Sequence, residues 1–208
     1  MNWLDWFKRR YFRFYFFKAI NYCVHMFILK NKYYLIIESI KDIDLKNIKI
    51  RNKFFIIYRN NKKIDNFSKL LRFRQNCKSK AIRFFVANDI KLAISLNSDG
   101  IYLSSYNRRL NFLNFRKINF DMIGSAHNVK EISDKIKQGC SSILLSKLFL
   151  VDYDKKSPCL GVLKFNNFSK ISKKIVPLGG IKSNNLNQLK NVSCEGFALL
   201  SEIKKKPA

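Results

Sequence analysis

Residues 121–145 read DMIGSAHNVKEISDKIKQGCSSILL, one complete strand–helix–strand unit. Asp121-Met122-Ile123-Gly124 is a short apolar run of strand type. Asn128 then stands at a helix N-cap position, and Glu131 follows three residues on, the spacing of a capping box. Gly139 sits where a helix stops. Val129, Ile132 and Ile136 recur at helical spacing and predict one apolar stripe over 128–138. Ser142-Ile143-Leu144-Leu145 opens a second apolar run. Neither run alternates apolar with polar, which is the pattern of strands buried on both faces. Two such strands joined by a helix predict a parallel pair with a right-handed crossover.

The same rhythm extends in both directions. Apolar runs occur at Tyr34–Ile37, Phe54–Tyr58, Ile82–Val86 and Gly100–Leu103, and again at Ile175–Leu178 and Gly196–Leu200. Ser183 to Asn191 repeats the helix pattern, with Leu186 and Leu189 facing inward. Eight strands alternating with helical stretches predict a (β/α)8 TIM barrel of the α/β class. About 178 residues are available for it, which is short for that fold, so helices and loops must be lean. We place the barrel at 31–208 and a basic, aromatic extension at 1–30. That extension is broken by Lys8, Arg9, Arg10 and Arg13, so it holds no uncharged run long enough to span a membrane. It also lacks the pattern of a signal peptide. It is read as a helix plugging the barrel bottom, a stretch ahead of the true start, or a helix lying on a membrane surface.

A hydrophobic fraction of 47% supports a packed core and argues against general disorder. The net charge of +27 would attract polyanions. The charges are spread along the chain, however, and Lys, Asn, Ile and Phe dominate together, as AT-rich coding produces. No RNA-binding motif accompanies them, so nucleic acid and membrane rank last as partners. The five cysteines form no C-x-x-C pair, and His25 and His127 are the only histidines. That disfavours a zinc site or a disulfide framework and makes a reducing cytoplasm the default expectation.

A parallel barrel builds its site from the C-terminal strand ends and the loops that follow them. Gly179 and Gly180 end the seventh strand just before a polar helix start, a place where backbone N–H groups can meet an anion. Ser201 after the eighth strand adds a donor, and the three predict a phosphate cradle. His127 follows the fifth strand directly, beside Ser125, where an imidazole is a usable proton carrier near neutral pH. Arg59 after the second strand and Lys147 after the sixth are expected to hold anions. Asn88 is a further substrate-binding candidate. Asp89 is either a Mg2+ ligand or a cap for the next helix, and one carboxylate makes a thin metal site.

These pieces, in this order, resemble the thiamine phosphate synthase and thiazole tautomerase superfamily over about Tyr33 to Ile203. Gly179-Gly180-Ile181 is similar to its IGGI turn, Leu200-Ser201 to its final (I/V)S pair, and Ser125-Ala126-His127 to its S-(T/A)-H. Ser98–Leu103 resembles ADGVHL, and Val86–Asp89 resembles LIND. Ile57-Tyr58-Arg59-Asn60 falls where the family has QLRE. The resemblance implies binding of thiazole phosphate, then coupling to a hydroxymethylpyrimidine diphosphate with Mg2+, or tautomerisation through His127.

The chain also departs from the family. The family's HLGQED, whose Asp helps bind Mg2+, stands here as Tyr102–Asn107 without a carboxylate, and GPxFxT stands as Ser146–Val151. Ile57 and Asn60 replace the Gln and Glu of QLRE. The expectation is therefore a thiamine biosynthesis enzyme whose phosphate end is kept and whose diphosphate end has changed. The alternative is a catalytically degenerate phosphate-binding or regulatory barrel.

Overall fold

All eight apolar runs form strands, and they close into one parallel barrel in sequence order. A computed structural model describes residues 32–48, 50–60, 65–110, 120–152, 154 and 156–200 of the protein. The extension at 1–30 and Ser201 lie outside the described residues. The strands are β1 (Lys32–Ile37), β2 (Phe54–Tyr58), β3 (Arg83–Ala87), β4 (Gly100–Leu103), β5 (Asp121–Ala126), β6 (Ser142–Ser146), β7 (Ile175–Leu178) and β8 (Gly196–Leu199). The ring closes where β1 pairs with β8, Tyr33 opposite Phe197.

Among the described residues, four α-helices pack outside the ring: α1 (Phe67–Ser79), α2 (Ile90–Ser95), α3 (Val129–Lys137) and α4 (Gly161–Ser169). Ser183–Asn191 forms a 3-10 helix rather than an α-helix, with Leu189 buried as expected and Leu186 partly so. Among the described residues, no helix is long and apolar enough to cross a membrane.

Strand alternation sorts the core into two sets, because successive side chains point to opposite faces. One set packs between barrel and helices. The other fills the lumen, including Tyr34, Phe55, Phe85, Tyr102, Leu144 and Leu178. At the N-terminal end, the rings of Tyr34 and Phe55 stack at 4.7 Å and those of Phe55 and Phe85 at 6.1 Å. The Arg83 guanidinium lies 5.5 and 5.2 Å from the centroids of Phe55 and Phe85 and pairs with Asp121 at 2.9 Å. The Tyr34 hydroxyl meets the Ser142 hydroxyl at 2.8 Å, and burial pushes the phenol up to about 12. This aromatic and ionic layer fills the lower lumen and leaves the open end at the strand C-termini.

The helix after β5 corrects one expectation. Val129 and Ile136 are exposed, whereas Ile132 and Lys135 are fully buried. Lysine is rarely buried without partners, and Lys135 has three. Its ammonium donates to the carbonyls of Ser104 (2.8 Å) and Asn107 (2.6 Å) and to Gln138 Oε1 (2.9 Å). Room for its stem comes from Gly124, where a Cβ would stand 2.7 Å from Lys135 Cδ. Burial lowers the affinity of this amine for its proton below the usual lysine range.

Candidate active site at the barrel mouth

At the C-terminal end of the strands a cavity of about 300 Å3 opens. Arg59, Ser125, His127, Gly179 and Gly180 all line it, although they are spread over much of the chain. The walls between them carry hydroxyls: Tyr102, Ser104, Ser105 and Ser146. The volume sits at the lower end of cavities that enclose small ligands, about 300–1,000 Å3.

Arg59 continues the β2 ladder by one residue, its N–H donating to the Ile37 carbonyl at 2.8 Å. Its Nε is buried and has no hydrogen-bond partner among the described residues. An unmet donor in a buried place costs about 1–3 kcal/mol, so it favours any acceptor that enters. Tyr102, fully buried on β4, faces the same cavity. Burial pushes its ionisation upward, while the Ser125 hydroxyl and the Arg59 guanidinium pull it back down. The phenol therefore stays a neutral hydrogen-bonding group beside a fixed cation.

His127 leaves β5 exposed at the mouth. Asn128 caps the helix as the sequence predicts, but Glu131 reaches back one residue further than in a capping box, to His127 N–H. Asn128 Oδ1 accepts from Glu131 N–H at 2.9 Å, and Glu131 Oε2 accepts from His127 N–H at 2.7 Å. The backbone at His127 is thus held while its imidazole remains at the cavity edge.

The glycine turn has two causes. Gly179 and Gly180 take φ of +93° and +67°, which disfavours any side chain. A Cβ on Gly180 would also collide with the carbonyl oxygens of Phe149 and Leu150, 2.5 Å from the latter. The loop after β6 therefore lies directly on this turn. Asn185 secures it from the other side, its Nδ2 donating to the Gly180 carbonyl at 2.7 Å and its Oδ1 accepting from Lys182 N–H at 2.8 Å.

Three further sequence candidates lie off the cavity lining. Asn88 adopts φ +56°, a conformation Asn tolerates better than most residues, and spends its amide on the loop after β4. Its Nδ2 donates to the Ser104 hydroxyl at 2.7 Å and to the Tyr106 hydroxyl at 3.0 Å, and its Oδ1 accepts from Ser104 N–H at 3.1 Å. Asp89 is exposed and caps α2, accepting from Leu92 N–H at 2.9 Å. Lys147 pairs with Asp154 at 2.6 Å. Leu199 and Leu200 line the mouth next to Ser201 in sequence.

Sequence reasoning did not single out Tyr102, Tyr106 or Lys135. For Tyr102 a signal existed, since the inward positions of a barrel strand alternate and its penultimate residue faces the mouth. For Lys135 none did, because its acceptors come from a distant loop.

Mg2+ is the metal that the resemblance implies. It prefers one or two carboxylates with octahedral oxygen ligation. Among the described residues, no carboxylate lines the mouth and no group of three His, Cys, Asp or Glu side chains is placed for a metal. The donor set present does not fit that ion.

A smaller cleft of about 220 Å3 lies at the opposite end, lined by Lys32, Tyr34, Lys173, Lys174 and Glu195 among others. It lies away from the strand C-termini, and Lys32 is paired there with Glu195 at 3.0 Å.

Fold and mouth together define a (β/α)8 barrel with a donor-rich site at its C-terminal face. The chain belongs to the thiamine monophosphate synthase family, whose model matches residues 25–203. It is 28% identical over 172 residues to a thiamine-phosphate synthase of Prochlorococcus marinus, covering 81% of this chain and 48% of that protein. It is 26% identical over 135 residues to the thiamine-phosphate synthase of Geobacillus thermodenitrificans, covering 63% of this chain and 61% of that one. The chain thus spans about half to three fifths of these curated relatives. Among solved structures, it is similar to thiamine phosphate pyrophosphorylase from Pyrococcus furiosus, with a TM-score of 0.62, 19% identity and 83% and 87% of the two chains covered. A 3-keto-L-gulonate-6-phosphate decarboxylase from Vibrio cholerae matches with a TM-score of 0.56 at 8% identity, covering 85% and 91%. These two likenesses concern the fold alone.

Proposed function

We propose that the chain is a transferase of thiamine biosynthesis that holds thiazole phosphate at the barrel mouth and couples it to hydroxymethylpyrimidine diphosphate. In that reaction the thiazole nitrogen forms a bond to the pyrimidine methylene carbon, and the C–O bond to the diphosphate breaks, releasing pyrophosphate. One observation carries the reading: Arg59, Ser125, His127, Gly179 and Gly180 share one cavity. Membership of the family supplies the substrate class. Positively charged and hydrogen-bonding groups aimed at a leaving diphosphate stabilise the charge that develops on it.

Tautomerisation of a thiazole carboxylate phosphate is the second reading. It is favoured by the imidazole at the cavity edge and by the lack of a carboxylate among the described mouth residues, since proton transfer asks for neither a metal nor a diphosphate.

The test is to incubate the full chain with both coupling substrates, and separately with the thiazole carboxylate phosphate. Formation of thiamine phosphate and pyrophosphate supports the first reading, and isomerisation alone supports the second. His127→Ala is expected to lower the tautomerisation rate by about 10^2–10^4-fold, with melting behaviour unchanged because the side chain is exposed. Thermal stabilisation by thiazole phosphate with no turnover in either assay would leave a binding protein and defeat both readings.

A further inference from the structure

Among the described residues, the acidic side chains of the loops at this end of the barrel are already committed within the protein. Asp42 accepts from the N–H groups of Glu38 and Ser39, and Asp65 from Ser39 Oγ and Ile40 N–H. Asp44 and Asp89 cap the helices that follow them. Glu131 takes His127 N–H and the Asn128 amide. Asp152 pairs with Lys182 and Asp154 with Lys147, each at 2.6 Å. None of these groups, nor Glu38, lines the cavity. Of the stretches outside the described residues that follow strands, 61–64 and 111–119 contain no Asp or Glu, and 201–208 contains Glu202. The charged or chargeable side chains that do line the mouth include Arg59 and His127, and no carboxylate among the described residues opposes them.

The loop after β4 is also fixed without an ion. From outside the barrel, the buried Lys135 ammonium holds the carbonyls of Ser104 and Asn107. From the neighbouring strand end, Asn88 holds Ser104, Tyr106 and Asn107, accepting from Asn107 Nδ2 at 3.2 Å. The hydroxyls of Ser104 and Tyr106 are thereby positioned at the cavity wall. The mouth combines a buried guanidinium N–H that lacks an acceptor among the described residues with a wall of set hydroxyls. Together these suit a phosphate oxygen directly. Among the described residues, a cation bridging to that oxygen would have no carboxylate to hold it, and it would face Arg59.

We propose that this site binds the phosphate or diphosphate group of its ligand directly on Arg59 and the mouth hydroxyls, with no divalent cation between protein and ligand. The inference rests on the mouth being the phosphate site, and it sets the site apart from the Mg2+-assisted arrangement implied by the family. A guanidinium does here what a metal would do, neutralising the anion through charge-assisted, forked hydrogen bonds.

The test is calorimetric titration of the full chain with inorganic phosphate and, separately, with inorganic pyrophosphate, each in excess EDTA and again with Mg2+. The expected result is binding in EDTA that is no weaker than in Mg2+. Arg59→Gln is expected to weaken it about tenfold or more, and Arg59→Lys less. Binding that vanishes in EDTA and returns with Mg2+ would overturn the proposal. So would no binding in either buffer, or binding indifferent to Arg59→Gln while the variant remains folded. EDTA-resistant pyrophosphate binding without turnover of any thiazole substrate would instead defeat the proposed reaction and leave this inference standing.

Discussion

Gly180 and Gly161 share a φ of +67°, yet their surroundings differ. Around Gly161 a Cβ would meet nothing within 4 Å, whereas at Gly180 it would strike two carbonyl oxygens of the loop after β6. Gly161→Ala should therefore lose only the cost of a left-handed residue, about 1–2 kcal/mol. Gly180→Ala should add an overpacking cost of about 1–3 kcal/mol. Urea unfolding of the two variants measures the difference, and equal losses would mean that the loop does not rest on the turn. Arg59 raises a related issue at the same scale. Its buried Nε–H is a local cost of folding, which an incoming acceptor would relieve.

At the scale of the element, α3 shows what a helix will give up to hold a loop. Its apolar spacing points Val129, Ile132 and Ile136 at the barrel, but of these only Ile132 turns inward, and Lys135 joins it. A buried ammonium is costly unless its donors are met, and here all three are. Lys135→Met keeps the stem and removes the donors, taking one of two hydrogen bonds from each of the Ser104 and Asn107 carbonyls and the Lys135 bond from Gln138 Oε1. We expect a loss of about 1–3 kcal/mol in denaturant unfolding. A neutral or stabilising result would show that the charge is an expense rather than a clamp.

The loop after β6 is the second element of interest. Hydrogen bonds from Lys147, then from Ser157, hold the Asp154 carboxyl down at about 2, against an ordinary 3.8. A depressed acid favours the folded contact above its ordinary value and loses it as the pH falls through the folded value. The Lys147–Asp154 contact should therefore be complete above about pH 4 and lost as the pH falls towards 2 and below. A carboxyl-detected NMR titration of Asp154 should find the low midpoint, and a midpoint near 3.8 would mean that the pair does not form.

Across the whole molecule, the barrel could be read from the sequence because a strand buried on both faces writes itself as an uninterrupted apolar run. Phe54–Tyr58 and Ile175–Leu178 were legible to the residue for that reason. The mouth was legible through one topological rule, which puts Arg59, His127 and the glycine pair at one end of the barrel. What could not be read depends on contacts remote in sequence. Lys135 finds carbonyls roughly thirty residues back in the chain. Asn88 is drawn to a loop beyond the next strand, and Gly180 is pressed by Phe149 and Leu150. Helical spacing alone also could not separate the α form from the 3-10 form taken by Ser183–Asn191.

The most direct measurement is a crystal structure of the full chain grown with thiazole phosphate. The account predicts the phosphate at the mouth, its oxygens about 3 Å from donors at Gly179–Gly180 or Arg59, with His127 beside the ring. A ligand seated instead in the cleft of Lys32, Lys173 and Lys174, or one that never binds, would contradict it.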